Sequence, residues 1–495
     1  MNIALLFAEA ARAAPRAPFL IGEAEAVSYG EAERQSAAVS RALLAAGIGA
    51  GAPVALLFPN TPAQAIAQLG VLRAGAVPVL LSLAAPAPEI AASLDTVGAV
   101  ALLADPSCAE AGRAGAAGAP RCALVVDDLM AFAADVAADV AADVADGVAA
   151  RAASDAALIL FTSGTTGRPK GAVVTHANVR HFADFFVREF WRVGPSDVLL
   201  MLAPNAHVIG QCVLWTACAA GAAVRTMQGF TPERLVRAVE RDRVTMFAGV
   251  PALGRFLLAS PALDGAELGS LRTVMLGGAP VEPDLVAALE ARLGARVLPG
   301  YGMTEAAPIS YVSPDVTAPP GSVGRPVWGC EVRVVDADGA DVPTGERGEV
   351  WVRGPQVFAG YHGDPDAGWT DGWFRTGDVG VLDADGFLTL VDRLKHLIKT
   401  GGYGVFAAEV ERALLSHPAV AEAAVVGRPH ATLGETVRAV VALRDGAVAS
   451  ATDLSRHCKT LLASYKAPRT VSFVERLPRS RTGKVDRHAL ADVAS

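Results

Sequence analysis

Cysteine is scarce in this chain and poorly placed for chemistry. Six cysteines, Cys108, Cys122, Cys212, Cys218, Cys330 and Cys458, are scattered over 495 residues, and no pair has CxxC spacing. That argues against a zinc site and against a disulfide framework, and it points to reduced thiols in a cytoplasmic protein. Basic charge is short as well. Lys and Arg number 43 against 51 Asp and Glu, a net charge of −8, with no basic stripe, so a nucleic-acid partner is not expected. No run of about 20 apolar residues occurs, which excludes a membrane-spanning helix as an expectation. The first ten residues, Met1 to Ala10, lack the basic start of a signal peptide and meet Glu9 early.

What is present is length and an α/β rhythm. At 495 residues and 52% hydrophobic, the chain is too long for one core and should form at least two domains. Helix is expected over Gln35–Ala46, stopped by Gly47, and over Thr61–Ala74; strands are expected at Val54–Phe58 and Val77–Leu81. The rhythm resumes with strands at Val198–Leu202, Val244–Phe247 and Thr273–Leu276 and helices at Thr231–Arg241 and Glu282–Leu293. Phe132–Ala153, with Val136, Val140, Val144 and Val148 spaced by four and Asp135, Asp139 and Asp143 likewise, reads as a solvated surface helix. After residue 320 the pattern turns β-rich, with Cys330–Val335, Gly348–Val352 and Phe387–Val391 as strands. A composition break at Asp392–His396 precedes a small α+β unit. The expected domains are therefore 1–391, a hinge at 392–396, and 397–495.

Chemistry concentrates in Thr162-Ser-Gly-Thr-Thr-Gly-Arg-Pro-Lys-Gly171, which follows an apolar strand pattern, Ala156–Phe161. Gly164, Gly167 and Gly171 let the backbone turn its N–H groups onto an anion. Thr162, Ser163, Thr165 and Thr166 add hydroxyl donors, and Lys170 a mobile cation. A polyphosphate suits this set. The spacing is not that of a P-loop, which needs Gly, four residues, then Gly-Lys-Ser/Thr. A second segment, Gly300-Tyr-Gly-Met-Thr-Glu305, follows a strand pattern at Arg296–Leu298 and reads locally as a glycine-rich turn. In it Tyr301 offers a flat face to a base and Glu305 a carboxylate to Mg²⁺. Trp373–Asp378 places an acidic residue after a tight turn. Asp392–Tyr403 gathers Arg393, Lys395 and Lys399 beside Gly401 and Gly402, and Pro478–Lys484 brings Lys484 near the C-terminus.

In order and spacing these five segments resemble the adenylate-forming enzymes: acyl- and aryl-CoA synthetases, nonribosomal adenylation domains and luciferases. The resemblance covers essentially the whole chain. It implies a large N-terminal domain of layered sheets and helices with a β-rich subdomain, plus a small mobile C-terminal α+β lid. It also implies that residues 162–170 hold the β,γ-phosphates of ATP. Ala279 and Gly300, Tyr301, Gly302, Met303 and Thr304 line the adenine and acyl-phosphate region. Glu305 helps bind Mg²⁺, Asp378 and Arg393 hold the ribose, Lys395 is the hinge, and Lys484 contacts the reacting carboxylate and α-phosphate. Carboxylate and ATP are both anions, so a positioned cation must offset their repulsion while acyl-AMP and pyrophosphate form. A thiol then attacks the acyl-AMP. Rotation about Lys395 would exchange the Lys484 face for the Gly401-Gly402 face, which lines the thiol's tunnel.

Two further absences bear on the acid. No aspartate lies between Met201 and Ala217, where amino-acid-activating relatives pair with a substrate ammonium, and Gly300 stands where a basic residue could hold a second carboxylate. His207, in Pro204–Gly210, reads as a pocket gate; Val208, Ile209, Gly210, Val250, Gly277, Gly278, Ala306 and Pro308 complete an open apolar pocket. The expected substrate is a fatty or aromatic monocarboxylic acid, activated with ATP and Mg²⁺ and passed to coenzyme A. Phe230-Thr-Pro-Glu233 lacks the preceding lysine that often contacts CoA phosphate, having Gln228 and Gly229 instead; Arg225 could compensate. An acyl-AMP ligase loading a carrier-protein pantetheine, and a non-catalytic binding relative, therefore stay open, as does a homodimer.

Overall fold

The computed structural model describes residues 1–137, 147–163, 169–400, 403–430, 432–479, 485–487 and 489–492. The chain divides into two compact units, residues 1–331 with 352–374, and residues 332–351 with 375–495.

In the first unit, strands that are buried on both faces build two sheets. The six-stranded sheet runs Leu124–Val126, Ala101–Ala104, Pro53–Leu57, Val77–Leu80, Ala156–Ser163, Pro169–Thr175. It is parallel except for its last pair, an antiparallel hairpin. The nine-stranded sheet has at its centre the parallel strands Arg296–Met303, Thr273–Leu276, Met246–Gly249, Val198–Met201 and Ala223–Thr226. Parallel neighbours need crossover helices, and the sequence supplies them with clear starts. Thr231 caps Pro232–Asp242 by accepting from Arg234 N, and Pro stands first in the helices Pro62–Arg73, Pro251–Ala259 and Pro283–Leu293. A long apolar core of Leu, Val, Phe and Trp residues fills the space between these layers.

The second unit holds the sheet Tyr403–Phe406, Leu397–Thr400, Gly434–Leu443, Val420–His430, with Thr470–Phe473 parallel to Gly434–Leu443. Helices Ala407–Leu415 and Ala451–Leu461 pack on it around Val405, Val410, Leu414, Val437 and Leu454. This is the small α+β architecture expected of the C-terminal part.

Four local expectations are corrected. The helix expected from Gln35 starts at Tyr29, because Ser28 accepts from Glu31 N and caps it nearly two turns earlier. Gly300–Met303 is not a turn but continues the strand Arg296–Met303. It is laddered to Ala306–Tyr311 with Gly300 opposite Tyr311 and Tyr301 opposite Ser310. Asp378 likewise sits inside the strand Trp373–Leu382, the tight turn lying earlier at Asp371 and Gly372, both with positive φ. The helix expected over Phe132–Ala153 spans Leu129–Ala137. Residues 138–146 lie outside the described residues, and from 147 the backbone is irregular, Ala149 N donating to Arg73 O.

Gly210 shows how tightly one functional segment is packed. A Cβ there would lie 2.5 Å from Pro204 O and 2.8 Å from Asn205 Cα, both backbone atoms. Gly210→Ala should therefore destabilise the protein by about 1–3 kcal/mol. Gly194→Ala, with nothing within 4 Å, should be near neutral. Chemical denaturation of the two variants checks the contrast; equal midpoints would contradict it.

Candidate functional site

Strands of the nine-stranded sheet bring three candidate residues of the first unit to their carboxyl ends. Val250 follows Met246–Gly249, Gly277 follows Thr273–Leu276, and Gly300 extends past the pairing of Leu276 with Pro299. All three lie at carboxyl ends of adjacent parallel strands, where open α/β sheets bind ligands. The approach is close. A Cβ on Gly277 would sit 2.9 Å from Gly300 O, and one on Gly300 would touch Met275 Sδ at 3.8 Å. Gly278 has a positive φ and, with Ala279, is exposed beyond the strand. Val208, Ala306 and Pro308 are buried.

The segment bearing His207 follows Val198–Met201 in the same sheet and is held from behind by amides. Asn60 Nδ2 donates to Met201 O and Ala203 O, and Asn60 Oδ1 accepts from Asn205 N at 2.9 Å. Deeper in, Gln68 Oε1 accepts from Asn205 Nδ2 at 2.9 Å, and Gln68 Nε2 donates to Gln211 Oε1 at 2.6 Å. Gln211 Nε2 in turn donates to Asn205 O at 2.7 Å, and Trp215 Nε1 to Gln211 Oε1 at 3.1 Å. Gln68 and Gln211 are fully buried. Buried amides satisfied in this way specify one loop conformation. His207 stands at the N-cap position of the helix Val208–Ala220 in extended backbone geometry, without a side-chain capping hydrogen bond.

The hairpin expected to hold a polyphosphate is the second part. Thr162 pairs with Lys170 and Ser163 with Pro169. Gly164, Thr165, Thr166 and Gly167, at the tip, lie outside the described residues. The outer strand of this hairpin is completed by a segment almost two hundred residues later. Val173 N donates to Gly360 O at 3.0 Å, Ala359 N to Val173 O at 2.9 Å, and His362 N to Gly171 O at 2.7 Å.

That pairing places Tyr361, a residue missed in the sequence reading, against Glu305, Thr162 and Lys170. Its hydroxyl donates to Glu305 Oε1 at 2.6 Å and hydrogen-bonds with Thr162; its ring lies 5.0 Å from Lys170 Nζ. Phe358 N donates to Glu305 O at 2.8 Å. Tyr361, then, connects the hairpin to the Thr304-Glu305 turn. Burial, reinforced by the Glu305 charge, pushes its phenol well above the ordinary tyrosine range. Its only local signal was Gly360-Tyr361 amid turn residues.

For Mg²⁺ the donor set is one carboxylate, Glu305, beside a hydroxyl- and lysine-bearing hairpin. Among the described residues no group of three or more metal-ligating side chains occurs. Mg²⁺ is commonly held by one or two carboxylates with substrate phosphates and waters, so these residues fit it when it arrives with a polyphosphate.

The second unit holds the remaining residues. Asp378 and Arg393 face each other across paired strands, with Arg393 Nε 2.6 Å from Asp378 Oδ1; Asp378 is 7% exposed and Arg393 43%. Asp378 N donates to Thr376 Oγ1 at 3.0 Å. Lys395 follows in a short 3₁₀ turn, Leu394–His396. Burial, with Arg393 adding, lowers its ammonium below the ordinary lysine range against the pull of Asp378. Asp392 accepts from Arg393 N at 2.7 Å and from Ala408 N at 2.8 Å. Lys399 is exposed; Gly401, Gly402 and Lys484 lie outside the described residues.

Arg225 is not available as a stand-in phosphate contact. Its side chain is 4% exposed, with Nε 2.6 Å from Asp242 and Nη2 3.3 Å from Glu23. All six cysteines are free, and no helix among the described residues is long and apolar enough to cross a membrane.

The sequence profile of the AMP-binding enzyme family matches residues 7–362, and that of the AMP-binding enzyme C-terminal domain matches residues 409–484. A feruloyl-CoA synthase from Amycolatopsis sp is 38% identical over 482 residues, 96% of this chain and 95% of that one. The 4-coumarate–CoA ligase 5 of Oryza sativa subsp. japonica is 34% identical over 495 residues, covering 94% and 89%. Among solved structures, ATP-bound MatB from Rhodopseudomonas palustris superposes with a TM-score of 0.91 at 31% identity over 99% of each chain.

The raised phenol of Tyr361 has a signed consequence. A neutral group favoured by folding stabilises fully below its unfolded value of 10.0 and loses that contribution as pH rises through the folded value. The native protein should lose stability above pH of about 10 more steeply than Tyr361→Phe. At pH 7 the variant should cost about 1–3 kcal/mol, because Glu305 loses its donor. Denaturation midpoints across pH check both; parallel profiles would contradict the assignment.

Proposed function

This chain belongs to the AMP-binding enzyme family, and on that premise we propose that it activates an aromatic monocarboxylic acid of the phenylpropenoate type. It is an AMP-forming acid–thiol ligase: ATP and a carboxylate give acyl-AMP and pyrophosphate, and coenzyme A then takes the acyl group as a thioester. The reading rests most on the Tyr361 junction, which joins a phosphate-type hairpin to a carboxylate at the strand ends.

In this reading Thr162, Ser163, Gly164, Thr165, Thr166 and Lys170 hold the β,γ-phosphates. Tyr361 keeps Glu305 oriented for Mg²⁺, which when bound neutralises phosphate charge. Ala279 and Gly300 to Thr304 border adenine and the reacting carboxylate. Asp378 accepts from the ribose hydroxyls, with Arg393 steadying it. A carboxylate oxygen attacks the α-phosphorus, the bond to the β-phosphate bridging oxygen breaks, and Lys484 offsets the charge developing there. Residues 397–495 then turn about Lys395, so that Gly401 and Gly402 replace Lys484 and admit the pantetheine arm. The reaction takes place in the cytoplasm.

The aromatic assignment draws on the feruloyl- and coumaroyl-activating relatives and on the glycines at the strand ends. Gly277 and Gly300 add no side-chain bulk at these strand ends. Gly300 carries no cation for a second carboxylate.

A panel of acids with ATP and free CoA tests the reading. Phenylpropenoates should give acyl-CoA with kcat/KM at least about tenfold above straight-chain fatty acids; the reverse order would refute the aromatic assignment. Pyrophosphate release without acyl-CoA would instead favour a carrier-protein acceptor. Lys484→Ala should lower adenylation by roughly 10²–10³ while thioester formation from synthetic acyl-AMP persists. Equal loss of both half-reactions would contradict the exchange of faces.

A further inference from the structure

The nine-stranded sheet reverses its winding at Val198–Met201. From that strand the chain moves to Ala223–Thr226 on one side, then returns across it to Met246–Gly249 on the other. The helices follow the reversal. Val208–Ala220 shares one core with Leu199 and Met246 through Val213 and Leu214. Pro232–Asp242 and Pro251–Ala259 share another with Leu200 and Phe247 through Leu235 and Leu257. Successive strand residues face opposite sides of a sheet, so the two cores lie on opposite faces. The chain therefore departs to opposite faces after Met201 and after Gly249, and such a switch point is where open α/β sheets bind ligands. Pro204–His207 follows one of these strands and Val250 the other.

The segment that bears His207 is a turn: His207 N donates to Pro204 O at 2.9 Å, with Asn205 and Ala206 between them. Asn205 is 3% exposed, and each of its polar groups is engaged. Its N–H donates to Asn60 Oδ1 and its Nδ2 to Gln68 Oε1, both at 2.9 Å. Its carbonyl oxygen and its Oδ1 both accept from Gln211 Nε2 at 2.7 Å. The three partner amides stand on three elements: the loop after Pro53–Leu57, the helix Pro62–Arg73 and the helix Val208–Ala220. Gln211 N also donates to His207 O at 3.2 Å, so the same residue grips the turn at both ends.

Stability does not require amides here. Replacing both partners of a buried hydrogen bond by apolar groups of the same shape is often nearly neutral. What a fully satisfied amide network adds is a single conformation. A turn held in one conformation presents one wall, and a displacement of about 1 Å is enough to change how well a substrate is placed for reaction.

We propose that Asn205 is a positioning residue for acid selectivity: clamped by Asn60, Gln68 and Gln211, it holds the His207 turn as a fixed wall and so sets which acids are accepted. The inference rests on the reading of these strand ends as the place where the acid binds. The full-length enzyme carrying Asn205→Leu, Gln68→Met, both together or, as reference, His207→Ala tests it. The readouts are kcat and KM for cinnamate, hexanoate and octanoate, KM for ATP, and the thermal midpoint. Asn205→Leu and Gln68→Met should each shrink the kcat/KM ratio between the best and the poorest acid by about fivefold or more, chiefly through KM for the best acid. KM for ATP should stay within about twofold. The double variant removes both partners of one hydrogen bond; it should regain most of the thermal midpoint lost by Asn205→Leu and keep the shrunken ratio. Equal loss for all acids, or a ratio that returns with the midpoint, would mean a merely structural clamp and overturn the proposal. So would an unchanged ratio in Asn205→Leu where His207→Ala has lost it. A ratio unchanged in His207→Ala would overturn the premise, and the inference with it. Preference of the native enzyme for hexanoate or octanoate would refute the aromatic assignment alone, because the clamp is read from the change in ratio.

Discussion

The 2.6 Å hydrogen bond from the Tyr361 phenol to the Glu305 carboxylate is the contact on which the proposed nucleotide site depends. It joins two structures that have separate origins. One is the hairpin Ala156–Ser163/Pro169–Thr175 of the six-stranded sheet; the other is the turn that closes Arg296–Met303 onto Ala306–Tyr311. Because residues 359–362 also ladder onto the hairpin's outer strand, the phenol is delivered by backbone pairing and not by a mobile loop. A buried carboxylate with a fixed neutral donor holds one direction, which suits the docking of a metal–polyphosphate complex proposed above.

The same economy governs the strand ends proposed to hold the acid. Gly277 and Gly210 each permit a backbone approach that a side chain would block, and the amides of Gln68, Asn205 and Gln211 hold the loop that bears His207. Attack at the α-phosphate needs both anions held still while charge moves between them.

The layered α/β architecture was legible because buried parallel strands are short apolar runs and their helices carry Thr and Pro at the start. The strand Thr273–Leu276 and the helix beginning at Pro232 lay where those signals put them. Local reasoning failed where long-range pairing overrides propensity. Gly300–Met303 reads as a turn by composition and is a strand because Ala306–Tyr311 pairs with it. Tyr361 carried no signal above Gly-Tyr-His-Gly, since its partner strand is almost two hundred residues away. The period-four valines after Phe132 suggested one long helix, yet the chain at Ala149 gives its N–H to Arg73 instead. The amide contact of Gln68 with Gln211 was equally invisible, joining residues 143 positions apart.

The central claim is that a carboxylate oxygen of the acid becomes part of AMP. Turnover of an acid labelled with ¹⁸O in both carboxylate positions, with unlabelled ATP and CoA, tests it through the mass of the product AMP. Attack on the α-phosphate followed by thiolysis at the acyl carbon leaves one ¹⁸O in the AMP phosphoryl group. AMP without label would contradict the account.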